Sequence, residues 1–178
     1  MTVPLYAITP DTKIETDALE LHFESSGFDR FVLRKEPGRV AILYPSGFQF
    51  EGLQTQLWLH KVLVEVLRSQ ARLVLLPRFR MHVEQTGLSP QRVFIKQTRS
   101  CWGSCSGKQN INLSLFLMLL PYKFIDYVML HELCHLREMN HSPRFWALLD
   151  SFTEGKAKTL RRELREYARI HELVKMMR

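Results

Sequence analysis

A single stretch of eleven residues decides how this chain is interpreted, and it reads His131-Glu132-Leu133-Cys134-His135-Leu136-Arg137-Glu138-Met139-Asn140-His141. His131 and His135 are four residues apart, so on an α-helix their imidazoles lie on one face, within reach of one metal ion. Glu132 lies beside that face, where it can contact a metal-bound water without binding the metal. The H-E-x-x-H pattern is typical of zinc hydrolases, in which the two histidines bind zinc and the glutamate is the general base. So short a match can also arise by chance in a helix.

The third metal ligand is expected from the end of the same stretch. A catalytic zinc ion takes three protein ligands and leaves one position open for water. His141 can be the third ligand only if the chain turns back after His135, because a straight helix would place it about 15 Å along the axis. Asn140 is expected to make this turn, since asparagine tolerates the left-handed conformation that ends helices. Ser142 and Pro143 then predict the N-cap and the first residue of a new helix.

The composition of the chain is that of an ordinary globular protein. It has 178 residues, of which 46% are hydrophobic and 24% are charged, which suits one domain or one domain with a small appendage. The first ten residues predict no signal peptide, and no segment approaches the ~20 apolar residues of a membrane span, so no membrane partner is expected. Cys101, Cys105 and Cys134 are an odd number of cysteines, which predicts free thiols and a reducing, cytoplasmic compartment.

The net charge of +7 is distributed unevenly. Between Val66 and Ile125, Glu84 is the single acidic residue, whereas nine residues are basic: Arg68, Arg72, Arg78, Arg80, Arg92, Lys96, Arg99, Lys108 and Lys123. Such a bias can attract an anionic partner, such as a nucleotide, a nucleic acid or an acidic peptide. The alternative is a solvated basic surface that acids elsewhere offset, and no common nucleic-acid-binding motif is present.

Apolar periodicity predicts a β-rich beginning followed by a helical segment. Residues 31–35 and 39–44 flank the turn sequence Glu36-Pro37-Gly38 and predict a β-hairpin. Apolar residues at helical spacing predict a long amphipathic helix from Leu53 to Arg72. A second helix is expected from Pro77 to Gly87, and two strands are expected at 92–98 and 110–116.

The metal-binding residues are expected on a helix that runs from Pro121 to about Met139. The core face of this helix is predicted to carry Ile125, Met129, Leu133 and Leu136. Residues 156–178 predict a last helix that packs over the core and carries many basic residues. The chain therefore predicts an α+β fold, with a β-rich region at 1–50 packed on a catalytic part at 51–178.

Two motifs in a fixed order resemble those of a known family. An Arg-x-x-Trp-Gly-Ser-Cys-Ser loop and an Asn-x-Asn strand precede H-E-x-x-H and Asn-His-Ser-x-x-Phe-Trp. This order resembles the YgjP-like metallopeptidase family, which is related to the WLM and SprT-like zincins. The overall layout is similar from about residue 30 to residue 175, and the resembling positions are Arg99, Trp102, Gly103, Ser104, Cys105, Ile111, Asn112, Pro121, Tyr127, Val128, His131, Glu132, His135, Asn140, His141, Ser142, Phe145 and Trp146.

The resemblance implies a zincin-like fold in which His131, His135 and His141 hold one zinc ion, Zn²⁺. It also implies that the strand before the metal helix, at 110–116, borders the cleft, so that an extended peptide could pair along it.

One position separates this chain from the metzincins, which share the spacing of the three histidines. Glu138 stands where they carry glycine, so the turn is expected at Asn140 or nearby. If His141 is not a ligand, Glu154 or Glu163 could act as the distant glutamate that gluzincins use.

The leading hypothesis is hydrolysis of a peptide bond in a peptide or protein substrate. Zinc polarises the scissile carbonyl and brings the pKa of its bound water toward ~7, and Glu132 takes the proton of that water and passes it to the leaving amine. A partner for the oxyanion is expected from Arg99, Tyr127 or Arg144, and Arg99, Asn112 and Arg144 are predicted to contact the substrate. The histidine N–H groups also need acceptors; Asp126 and Asp150 are nearby in the sequence, which does not place them relative to the histidines.

Three other functions remain open at this point. A metal-dependent nucleotide pyrophosphohydrolase of the UTP type would use the same site, with Arg and Lys binding the triphosphate. The resemblance permits this function, because a UTP pyrophosphatase activity has been assigned within the family. A protease recruited to nucleic acid, as SprT-like relatives are, would bind DNA in a salt-dependent manner. A non-catalytic zinc domain is the last alternative, although it gives no role to Glu132.

Overall fold

The first part of the chain forms a four-stranded sheet. The structure is a computed structural model that describes residues 7–170. Its strands are β1 (Ile14–Glu15), β2 (Glu20–Ser26), β3 (Val32–Glu36) and β4 (Arg39–Pro45), in the order β1-β2-β4-β3. β3 and β4 pair antiparallel around Gly38, whose φ of 77° needs glycine. The predicted hairpin is therefore confirmed.

Helix α1 (Leu53–Thr86) runs without interruption for 34 residues. The prediction of two helices separated near Pro77 is wrong. A proline inside a helix costs about 3 kcal/mol, and the burial of Leu75 and Phe79 on either side of Pro77 offsets that cost. The helix ends at Gly87, with a φ of 67°, as the sequence indicates.

A second sheet carries the strands nearest the site. It consists of β5 (Arg92–Lys96), β6 (Gly103–Cys105) and β7 (Asn110–Ser114), in the order β5-β7-β6. β7 pairs parallel with β5 and antiparallel with β6. The expectation that a peptide pairs along 110–116 is therefore wrong, because both edges of β7 are already occupied. The free edge nearest the metal helix belongs to β6.

The C-terminal part is helical. A 3-10 helix (Leu115–Leu119) is followed by α2 (Tyr122–Cys134), α3 (Pro143–Phe152) and α4 (Ala157–Ile170). α2 ends at Cys134 instead of continuing to Met139, and Ser142 caps α3 by accepting a hydrogen bond from the Phe145 N–H. Residues 171–178, which were expected to extend the last helix, lie outside the described residues. None of the helices described is long and apolar enough to cross a membrane.

One hydrophobic core joins the elements of both sheets and the helices. Its fully buried members include Leu21 and Ile42 of the first sheet, Leu67 of α1, Phe116 of the 3-10 helix and Leu133 of α2. The α+β class is thus confirmed, whereas the boundary between 1–50 and 51–178 stays a prediction. The three cysteines are free thiols, as expected.

Candidate metal centre and cleft

α2 places two histidines on one face by its helical spacing. The buried side chains of Ile125, Met129 and Leu133 fix the opposite face in the core, as predicted, whereas Leu136 follows the end of α2 and is partly buried. His135 is the C-cap of α2 and keeps the right-handed helical conformation, with φ −65°. The ligand face therefore extends to the last residue of the helix, and Nε2 of His135 lies 3.2 Å from Nε2 of His131.

The chain turns immediately after His135. The Leu136 N–H donates to the Leu133 carbonyl, and the Glu138 N–H donates to the Cys134 carbonyl at 2.9 Å. The prediction of a left-handed Asn140 is wrong, because Gln109 and Glu154 are the non-glycine residues with positive φ in the described part of the chain.

This early turn brings His141 back to the other two histidines. Its Nε2 lies 3.0 Å from Nε2 of His131, and one donor atom from each of the three rings lies within 4.8 Å of the others. Two nitrogens that bind one zinc ion tetrahedrally are about 3.3 Å apart, given zinc–nitrogen bonds of about 2.0 Å. The three imidazoles therefore form a donor set that fits zinc.

The orientation and protonation of the imidazoles suit metal binding. Nδ1 of His135 lies 3.0 Å from the Glu138 carbonyl oxygen, and when it donates there, Nε2 keeps its lone pair for a metal. Burial, with smaller contributions from His135, His141 and Arg161, lowers the pKa of His131 to about 3. The pKa of His141 is also lowered, chiefly by burial. His131 and His141 are therefore neutral at ordinary pH and able to act as ligands.

One aromatic side chain packs against all three imidazole rings. Phe145 of α3 is fully buried and stacks on His135, with ring centroids 4.6 Å apart. Its ring also lies 4.9 Å from that of His131 and 4.7 Å from that of His141. α3 therefore fixes the histidines by packing rather than by hydrogen bonds.

The carboxylates expected to orient the histidines are engaged elsewhere. Asp126 binds Arg78 and His82 of α1, and Asp150 accepts a hydrogen bond from the Ala157 N–H. Nδ1 of His131 is buried and has no hydrogen-bond partner among the described residues. Neither aspartate therefore accepts a hydrogen bond from a histidine of the cluster in the described part of the chain.

Glu132 is buried beside the histidines and against the backbone of β6. Its side chain is so close to Gly103 that a Cβ there would lie 2.7 Å from Cγ of Glu132. Burial raises the pKa of the Glu132 carboxyl group to about 8. A side chain at position 103 would therefore have to displace Glu132 or move β6 away from α2.

A cavity of about 380 Å³ opens over His131, Glu132 and His141. Trp102, Tyr127 and Val128 line part of it, and α4 contributes Arg161, Leu164, Arg165 and Ala168. The ring of Tyr127 lies 5.9 Å from that of His131, and burial raises the pKa of Tyr127 to about 12 against the opposing effect of the two arginines. The cleft therefore combines a metal donor set, a buried carboxyl group, a protonated phenol and two cations.

Comparison with known protein families matches residues 31–167 to the YgjP-like metallopeptidase domain. The chain belongs to the YgjP-like metallopeptidase family. This membership confirms the predicted family, and the H-E-x-x-H helix lies beside the small second sheet. Among solved structures, the metallopeptidase zymogen abylysin of Pyrococcus abyssi is similar, with 23% identity and a TM-score of 0.46 over 54% of this chain and 94% of that chain. No curated protein matches the chain significantly.

Two of the residues expected to contact substrate in this YgjP-like protein lie apart from the cleft. Arg99 is exposed and does not line the cavity. Arg144 borders a separate surface depression with Asn140 and Glu138.

Asn112, the third such residue, lies on β7 between the buried residues Ile111 and Leu113. Because successive side chains of a strand point to opposite faces, that of Asn112 lies on the face of the sheet opposite to Ile111 and Leu113. There it donates a hydrogen bond to Ser104 at 3.1 Å. Of the three residues considered for the oxyanion, only Tyr127 lines the cleft.

The glutamates considered as alternative third ligands are not part of the histidine cluster in the described part of the chain. Glu154 pairs with Lys156, and Glu163 pairs with Lys123. His141 therefore completes the donor set.

Sequence reasoning missed Arg161 and Arg165. It treated the last helix as one that packs over the core, which Leu164 does. The available signal was the spacing of four residues between the two arginines, which places both on one face of that helix beside its apolar stripe. Only the docking of α4 over the cleft places that face beside the histidines.

Proposed function

We propose that this chain is a zinc-dependent peptidase in which Glu132 is the general base. Family membership makes the chain a metal-dependent peptidase, and one observation carries the finer proposal. Three Nε2 atoms converge, two pairs of them at 3.0 and 3.2 Å, beside a buried carboxyl group. That arrangement supplies three ligands and a neighbouring proton acceptor, which peptide hydrolysis at zinc requires.

His131, His135 and His141 would hold the metal ion. Zinc, when bound there, polarises the scissile carbonyl and lowers the pKa of water toward ~7. Glu132 accepts the proton of the attacking water and donates it to the leaving amine. Its burial raises its pKa and so makes the carboxylate a stronger base for the first of these transfers, and the lack of a side chain at Gly103 leaves room for the carboxyl group.

Tyr127 is proposed to donate a hydrogen bond to the oxyanion that forms on the substrate. Its raised pKa keeps the hydroxyl group protonated over the range in which such enzymes work. A positioned donor of this kind stabilises charge that develops in the transition state.

The edge of β6 is proposed to bind the substrate backbone. Gly103 of this strand contacts Glu132, and β7 covers the other edge. An extended peptide that pairs with β6 would lie next to the general base, which is the geometry of strand addition.

The test is Glu132→Gln, which keeps the shape of the side chain and removes its function as a base. We expect zinc content, measured by inductively coupled plasma mass spectrometry, to equal that of the wild type. Cleavage of a fluorescence-quenched peptide library should fall about 10²–10⁴-fold. Glu84→Gln, at an exposed position of α1, is the matched control and should leave both measurements unchanged. Full turnover by the Glu132→Gln protein would exclude the mechanism.

A nucleotide pyrophosphohydrolase is the second candidate, because two arginines border the cleft. None of the nine basic residues between Val66 and Ile125 lines the cleft. The residues that could bind a triphosphate there are therefore Arg161 and Arg165. UTP turnover by zinc-loaded protein, lost in Glu132→Gln, would favour this function. Salt-dependent DNA binding would instead favour a protease recruited to nucleic acid.

The free cysteines support the proposal of a reducing, cytoplasmic compartment.

A further inference from the structure

Two arginines on one face of α4 connect the metal cleft to a second cavity. Arg161 and Arg165 line the cavity over the histidines, and both also line a neighbouring cavity of about 500 Å³. The second cavity is bordered by further basic residues of the same helix, Lys158, Arg162 and Arg169. A substrate that extends away from the metal in this direction therefore meets a cationic wall.

The charge of this wall is largely uncompensated within the described part of the chain. Glu166 is the one acidic residue that lines the second cavity, and it pairs with Arg169 at 2.9 Å. No carboxylate of residues 7–170 forms an ion pair with Arg161 or Arg165. The guanidinium carbon of Arg161 lies 5.3 Å from the ring centroid of Trp146, a cation–π contact that positions the side chain without neutralising it.

We propose that Arg161 and Arg165 form a subsite for an acidic side chain of the peptide substrate, next to the scissile bond. This inference rests on the peptidase function proposed above. A guanidinium group offers a planar pair of donors that matches a carboxylate, and two such groups spaced by one helical turn can bind it from two directions. Leu164 and Ala168 line the cleft on the same helix and can contact the methylene groups of an Asp or Glu side chain.

The same arginines could bind phosphate, but other features of the cleft favour a peptide. The metal donors are three histidine nitrogens, whereas phosphoryl transfer from nucleotides is commonly assisted by Mg²⁺ on carboxylate oxygens. The free edge of β6 provides hydrogen-bonding groups for an extended backbone beside Glu132. We therefore assign the anionic group to a peptide side chain.

The first measurement compares matched peptide substrates. Fluorescence-quenched peptides carry Asp or Glu, or else the isosteric Asn or Gln, at each position flanking the scissile bond. At one position the wild type should show a kcat/KM about tenfold higher for the acidic peptide. Arg161→Gln and Arg165→Gln should each reduce that ratio severalfold, and the double variant should abolish it. Arg80→Gln, which removes an exposed arginine of α1, should leave the ratio unchanged.

Two further readouts separate this subsite from a structural role of α4. Zinc content should be the same in all variants, since none removes a metal ligand. Arg165→Glu should reverse the preference and favour a lysine at the same substrate position. Acidic and amide peptides that are processed equally by the wild type would overturn the subsite while leaving the peptidase proposal intact.

Binding is measured separately, so that failure of the peptidase proposal can be recognised. In zinc-loaded Glu132→Gln protein, a fluorescein-labelled acidic peptide should bind about tenfold more tightly than its amide counterpart, and this difference should shrink in high salt. The difference should also disappear in Arg161→Gln/Arg165→Gln. If the arginine variants weaken UTP binding and leave binding of the acidic peptide unchanged, the subsite belongs to a nucleotide and the inference is wrong.

Discussion

Replacing Gly103 by alanine introduces a methyl group where the side chain of Glu132 now lies. The added Cβ would be 2.7 Å from Cγ, 2.8 Å from Oε1 and 2.9 Å from Cδ of Glu132. Carbon atoms in favourable contact are about 3.5–4.0 Å apart. The backbone of Gly103 itself does not have a positive φ, so the substitution acts through this collision and not through backbone strain.

The size of the effect follows from the displacement that alanine requires. Glu132 must move by about 1 Å, or β6 must move away from α2, and a misplacement of that size can reduce turnover about 10²-fold. Overpacking at a buried contact also costs roughly 1–3 kcal/mol of folding stability. The three atoms nearest to the new methyl group all belong to Glu132 and none to a histidine, so zinc binding should persist.

The assay measures zinc content, thermal unfolding and peptide cleavage for Gly103→Ala beside Gly107→Ala. A Cβ at Gly107 meets no atom within 4 Å, and the φ of Gly107 is not positive, so the control should behave as the wild type. We expect Gly103→Ala to keep its zinc and to lose about 10²-fold in kcat/KM. Wild-type turnover by Gly103→Ala would refute the argument that this close approach positions Glu132.

Two further predictions concern residues that do not bind the metal. Tyr127→Phe should keep the fold and the zinc but lower kcat about 10²–10³-fold, because a donor to the oxyanion is lost; steady-state kinetics and metal analysis check this, and an unchanged kcat would assign the donor elsewhere. Asp126→Asn should lower the free energy of unfolding at pH 7 by about 2 kcal/mol, since the hydrogen bonds from Arg78 and His82 are weakened. Burial alone would raise the pKa of Asp126, but those hydrogen bonds outweigh burial and lower the pKa. The stabilisation is therefore present above the pKa of an unfolded aspartate, about 3.9, and is lost as the pH falls through the pKa of Asp126 in the folded protein. Urea unfolding at several pH values should therefore show the wild type approaching Asp126→Asn below about pH 4, and a constant difference would contradict this.

Local patterns in the sequence determined the elements on which the chemistry depends. The spacing of His131 and His135 needs only the geometry of one helix, so their shared face could be predicted without any tertiary contact. Ser142 and Pro143 mark the beginning of α3 by capping rules that act over three or four residues, and a helix that begins there requires the chain to turn back with His141. The hairpin around Gly38 follows from the same short-range rules.

Tertiary contacts decided what no local pattern contains. α1 continues through Pro77 because packing of Leu75 and Phe79 outweighs a local preference. β7 became the central strand because β6 pairs with its second edge, and strand order is not encoded in the periodicity of any single strand. Arg161 and Arg165 line the cleft, whereas the expected Arg99 and Arg144 do not, because α4 docks beside α2. The sequence by itself therefore determined which three histidines could hold a metal ion. Only the tertiary structure decided which charges border that histidine cluster, because the orientation of a helix depends on burial summed over distant elements and not on its own sequence.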